Sequence, residues 1–187
     1  MDGIILGIIL MVIIIPIIMI SGQRKVEQAV KKNAAAITDF KTTKEIKDPS
    51  NSFIVRFDEA NEKIAYIDAN DVKIISFKDI ISVERIEDGV TKYKKSIAGT
   101  VGGALIGGAV AGGAGMIVGG LSSSGEARKK LTSLSVKVII NDISTPSINF
   151  SLPLDSPLLF GLSFKVADEL VDTFKVIINR NSSTQES

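Results

Sequence analysis

The chain has 187 residues, with 22 Lys and Arg against 21 Asp and Glu, so its formal net charge of +1 gives no overall field to select nucleic acid or an acidic substrate. It contains no His, Cys or Trp, which excludes a disulfide framework and His-based triads and argues against a zinc site. No cofactor and no catalysis are expected from such a composition.

Gly3 to Ile20 is an unbroken apolar run of 18 residues dominated by Ile. At the helical rise it reaches about 27 Å, close to the hydrocarbon thickness of a bilayer. A cleaved signal peptide fits poorly, because Asp2 stands where positive charge is expected and no small-x-small site follows. The run predicts an uncleaved transmembrane anchor over residues 1–22, kinked at Pro16. Basic residues follow it and none precedes it: Arg24, Lys25, Lys31 and Lys32. The positive-inside rule then leaves the N-terminus outside and the remaining domain in the cytoplasm, as a single-pass protein of the cell membrane.

Residues 23–51 read as a juxtamembrane helix and linker, with Val26, Val30, Ala34, Ile37 and Phe40 at helical spacing. This helix is either a solvated spacer or a basic amphipathic surface lying on anionic lipid. From Ser52 the period changes to two. Phe53-Ile54-Val55, Lys63-Ile64-Ala65-Tyr66-Ile67, Val72 to Phe77 and Asp79 to Ile86 are short β-branched runs separated by Asp/Asn turns, the pattern of an antiparallel meander. Glu87-Asp88-Gly89 closes it.

Ile97 to Leu121 holds no charge and carries ten of the sixteen glycines. Gly99, Gly103, Gly107, Ala111, Gly115 and Gly119 recur at a spacing of four, which on a helix lines small residues along one packing face. Gly113, Gly115 and Gly119 mimic a dinucleotide fingerprint, but no βαβ unit with an acidic ribose ligand surrounds them. A flexible linker would carry Ser rather than Ile, Val and Leu. A single span would place Lys92, Lys94 and Lys95 on the opposite side of the membrane from Arg128, Lys129 and Lys130. The reading that remains is a glycine-rich helical hairpin inserted between strands, turning near Gly112-Gly113 and packed through its small face.

Alternation returns after the insert at Leu134 to Ile140 and at Ile148 to Leu152. Phe160, Phe164, Ala167, Leu170, Val171, Phe174 and Ile178 then recur at three and four, giving an amphipathic helix capped by Asp155 or Ser156 with Pro157 at its first position. Asn181 to Ser187 reads as a disordered polar tail. Six acidic residues, Asp58, Glu59, Asp68, Asp71, Glu87 and Asp88, fall at expected turns, where turn chemistry accounts for them.

The strand segments quoted above, with Phe77-Lys78-Asp79-Ile80-Ile81-Ser82-Val83-Glu84 and the glycine run Val101 to Gly120, resemble the pleckstrin-homology-like domains of membrane-associated proteins in Gram-positive bacteria and their phages. The likeness covers roughly residues 50–180. It implies an α+β, mainly β fold: a PH-like antiparallel barrel of about seven strands over residues 52–180, capped by the C-terminal helix and used as a binding module. It carries no ligand residues over.

Two functions follow as expectations. The first is a membrane-tethered, non-catalytic module on the cytoplasmic face that binds membrane lipid or a membrane protein partner through the PH-like domain and the glycine hairpin. The second is a phage-exclusion or toxin-like effector that acts as a homo-oligomer through its glycine zipper.

Overall fold

Alternating apolar residues, as in Leu134–Ile140 and Ser147–Leu152, bury one side chain in two, and the chain satisfies this pattern with sheets. The structure, a computed structural model, describes residue 15, residues 21–97 and residues 131–185. Sheet A is a meander of β1 (Lys44–Lys47), β2 (Phe53–Asp58), β3 (Lys63–Asp68) and β4 (Val72–Ser76). A 3-10 turn, Phe77–Asp79, leads into sheet B, built from β5 (Ile80–Glu87), β6 (Val90–Ser96), β7 (Leu134–Ile140) and β8 (Ser147–Leu152) in the spatial order β6-β5-β7-β8. Every pairing is antiparallel. Residues 21–35 are helical and are called α1, and helix α2 spans Pro157–Gln185.

The main core lies between the sheets and is closed by α2. Val55 and Phe57 of sheet A, Val83, Val136 and Phe150 of sheet B, and Ala167, Leu170, Phe174 and Ile178 of α2 are all buried. The Phe150 ring lies 5.4 Å from Phe53, 5.4 Å from Tyr66 and 6.0 Å from Phe174, within the range of favourable aromatic pairs. Burial, with Asp68 beside it, pushes the Tyr66 hydroxyl up to about 12. Arg85 of β5 bonds Asp168 of α2 at 2.5 Å, and Asn181 Nδ2 donates to the Phe77 carbonyl at 2.7 Å, so α2 is held near its middle and near its C-terminal end. Ser156 caps it: its hydroxyl accepts from the Leu159 N–H at 3.2 Å.

The outer face of sheet A is buried too. Val30 and Ala34 of α1 pack on Ile54, Ala65 and Ile67. The Arg56 guanidinium donates to the Ala34 carbonyl at 2.7 Å, satisfying the end of α1, and bonds Glu45 at 2.7 Å. Burial works to raise the Glu45 carboxyl, but the bonds from Arg56 and Lys47 outweigh it and leave it below its ordinary value. The apolar stripe of the helix after the N-terminal run is therefore spent on the sheet, where lipid or solvent was expected.

Two expectations are corrected. The first is the transmembrane anchor, with its single-pass placement, outside N-terminus and cytoplasmic domain. Among the described residues no helix is long and apolar enough to cross a membrane. Most of the run Gly3 to Ile20 lies outside those residues, and the helix that is described, α1, is charged on one face and docked on the domain by the other. A single-pass protein is not supported.

The second is the barrel of about seven strands capped by a helix. The fold is α+β with two antiparallel sheets of four strands each and a C-terminal helix. Two strands had not been read, β1 in the supposed linker and β6 before the insert; both are edge strands rich in Lys, and such edges carry little apolar signal. The Asp88-Gly89 pair does not end a sheet. Both residues have positive φ, 48° and 77°, and they turn β5 back into β6 as a tight hairpin. The expected polar tail is helical through Gln185. The glycine hairpin itself lies outside the described residues.

Candidate interaction site

A cleft of about 790 Å³ lies between α2 and the β1–β2 side of sheet A. Its walls owe their chemistry to the helix period. Lys165, Glu169, Asp172, Val176 and Arg180 recur at three and four on the face of α2 turned away from the main core, so all five line the cleft. Facing them are Lys44 of β1, Phe57 of β2 and Glu59 of the following turn, with Phe77 and Ile177 completing an apolar floor. Lys44 Nζ lies 3.1 Å from Glu169 and Arg180 Nη2 lies 3.3 Å from Glu59, two ion pairs that bridge helix and sheet. Both are largely exposed, so each adds little stability. Three cations face three carboxylates here, and Val176, half exposed, offers apolar surface beside them.

The turn beside the cleft is stiffened by Asp58. Its carboxylate accepts from the Asn61 side chain at 2.7 Å, the Asn61 N–H at 3.0 Å and the Lys41 N–H at 2.9 Å. Those bonds, the Asn61 amide first, hold its carboxyl below the usual aspartate range. Two other turn carboxylates accept bonds from the backbone of their own turns or of a neighbouring segment. Asp68 accepts from the N–H groups of Asn70 and Asp71 at 2.7 and 2.9 Å. Asp88 accepts from the Thr132 N–H, the Thr132 hydroxyl and the Ser133 N–H at 2.8, 2.9 and 3.0 Å.

Among the described residues, the basic residues singled out from sequence fall on two separate elements. Arg24, Lys25, Lys31 and Lys32 lie on the exposed face of α1 over sheet A, with Lys31 bonded to Glu27 at 2.6 Å. Lys92, Lys94 and Lys95 lie on β6, the edge of sheet B, where Lys94 pairs with Glu84 at 2.7 Å. Gly99, Gly103, Gly107, Ala111, Gly115, Gly119, Arg128, Lys129 and Lys130 all fall outside the described residues. Sequence reasoning missed the cleft. The charged stripe from Lys165 to Arg180 was legible as the polar face of a helix, but nothing local tied it to Lys44 and Glu59, more than a hundred residues earlier.

Comparison with curated proteins and with solved structures gives no match. A family model described as "Glycine zipper containing PH domain" matches residues 40–153, from just before β1 to just after β8 and across the insert. That stretch is more than half of the chain and contains all eight strands, and the chain belongs to this family of glycine-zipper-containing PH domains.

Proposed function

We propose that the protein is a non-catalytic interaction module that binds a membrane protein partner or a lipid surface, the PH-like domain through the cleft along α2 and the glycine-rich insert through apolar contact. PH-like domains are generally non-catalytic and commonly bind lipids or proteins, which supports the class of function. The charge of the cleft carries the finer reading. A lipid headgroup phosphate calls for an excess of cationic donors, whereas Lys44, Lys165 and Arg180 are matched by Glu59, Glu169 and Asp172. Matched charges around an apolar floor suit a protein segment that carries charges of both signs and places an apolar side chain on Phe57 and Ile177. A bacterial or prophage setting belongs to the same proposal, and gene neighbourhood checks it.

A photoreactive residue in place of Val176 tests the cleft, with membranes and extracts of the native host as bait. Cross-linking to a discrete protein is expected, and reversing the wall charges with Lys44→Glu and Arg180→Glu together should reduce it about tenfold or more. Flotation on anionic phospholipid vesicles should not change with those reversals. Cross-linking to lipid alone, or capture indifferent to the reversals, rejects the cleft as the protein-binding site.

The four-residue spacing of Gly99 to Gly119 favours a second reading, a membrane-active effector that assembles through its insert. Oligomers in mild detergent that are lost in Gly103→Leu and Gly107→Leu would support it. A monomer in both the parent chain and the variants, with no effect on host permeability, removes it.

A further inference from the structure

Each sheet has two edge strands, and three of the four are guarded by polar side chains. β1 and β6 carry lysines, and β8 exposes Asn149 and Ser151. β4, the last strand of sheet A, is different. It reads Val72-Lys73-Ile74-Ile75-Ser76, and Ile74 is 50% exposed. Among the described residues no strand pairs with its far side.

The register fixes which backbone groups that edge offers. The Asp68 N–H donates to the Asp71 carbonyl at 3.1 Å and the Phe77 N–H to the Glu62 carbonyl at 2.8 Å, so these two bonds bracket the β3–β4 ladder. Bonded and non-bonded pairs alternate between them, which turns the N–H and C=O groups of Lys73 and Ile75 towards β3. Those of Val72, Ile74 and Ser76 therefore point away from the sheet. The Asp71 carboxylate accepts from the Val72 N–H at 2.7 Å and leaves the Val72 carbonyl open.

Side chains alternate as well. Ile74 lies opposite Ala65, on the face that α1 covers, while Lys73 and Ile75 lie on the other face. There they line a cavity of about 210 Å³ together with Asp79 and Asp142. Ile143, wholly exposed in the turn between β7 and β8, adds apolar surface next to Asp142.

We propose that β4 pairs with β4 of a second copy of this chain about a two-fold axis at Ile74, joining the two A sheets edge to edge. On this antiparallel register Ile74 meets Ile74 and Val72 meets Ser76. The two Ile74 residues exchange N–H to carbonyl bonds, and each Ser76 N–H reaches a Val72 carbonyl. The contact is self-complementary and closes at two copies. Charge selects this occupant. Lys73 of each copy falls opposite Ile75 of the other, so the lysines are not opposed and each faces the side that holds Asp79 and Asp142. The half-exposed Ile74 gains an apolar cross-strand partner. β4 shares no residue with the cleft along α2 or with the glycine run, so this pairing is independent of what either binds.

The chain has no cysteine, so single thiols can trap the pairing in the full-length protein in mild detergent. Under mild oxidation Ile74→Cys should form a disulfide-linked dimer roughly tenfold or more faster than Val176→Cys, because bonded antiparallel partners stand about 5.5 Å apart at Cα. Val176 is the control because it is equally exposed, at 50%, on α2. Val72→Cys mixed with Ser76→Cys should cross-link, and neither should link to itself, the like pairs being about 13 Å apart along the strand. Equal rates for Ile74→Cys and Val176→Cys, or self-linking of Ser76→Cys as fast as the mixed pair, would overturn the proposal. An association through the glycine run would also bring thiols together, so the Ile74→Cys test is repeated with Gly103→Leu and Gly107→Leu. Unchanged linking there supports pairing through β4, and its loss assigns the dimer to the glycine run and rejects the β4 contact.

Discussion

Phe174→Ala is expected to cost about 3–5 kcal/mol, the range for truncating a buried Phe whose site cannot collapse. Phe174 is 1% exposed and touches both sheets from α2, its ring 5.8 Å from Phe57 of β2 and 6.0 Å from Phe150 of β8. The hole would be walled by elements already fixed by hydrogen-bonded ladders, so relaxation can fill little of it. At roughly 2–4 °C per kcal/mol for a chain of this size, the melting temperature should fall by about 6–20 °C. Urea unfolding of the variant beside Phe174→Leu checks this. A loss below about 1 kcal/mol for the alanine variant would mean that α2 is not the lid of the core.

Val30→Asp should have the next largest effect, by a different route. A carboxylate cannot stay against Ile54, Ala65 and Ile67 without a partner, and α1 has the option of leaving the sheet. The cost is therefore bounded by what docking of α1 is worth, about 2–4 kcal/mol for two buried side chains and the Arg56 bond to Ala34. Undocking also uncovers Ile54 and Ile67, so faster proteolysis between residues 36 and 43 and a tendency to aggregate should accompany the loss. Val26→Asp, on a side chain already 38% exposed, should change stability by no more than about 0.5 kcal/mol. Equal behaviour of the two variants would show that α1 is not part of the folded domain.

How legible each element was in the sequence follows from where its neighbours lie. β2 to β5, β7 and β8 announced themselves by alternation, and α2 by its three-and-four period, because each buries one face of its own residues. β1 offers only Ile46 to the core and β6 only half-buried Tyr93 among lysines, so neither stands out from a charged linker. The docking of α1 left a trace that was readable in retrospect. Phe53-Ile54-Val55 is apolar without alternation because β2 is covered on both faces, by the core and by α1. The cleft left no such trace, since its charges gain meaning only when α2 is laid beside β1. The expected anchor is not supported, since among the described residues no helix is long and apolar enough to cross a membrane, and most of the apolar run lies outside them.

The parallel placement of β6 and β7 also orders the assembly of the molecule. Sheet A and the β5–β6 hairpin close through short turns, but β7 reaches β5 only after a detour of more than forty residues. Closing that loop costs about 2–3 kcal/mol more in chain entropy than closing the Asp88-Gly89 turn. Sheet A should consequently form early, with Val55 and Phe57 bare until α2, which follows them by a hundred residues in the chain, arrives to cover them. Until β7 pairs, β5 is bonded on one side and open on the other, and the same strand edge that later receives β7 is available to a second nascent chain.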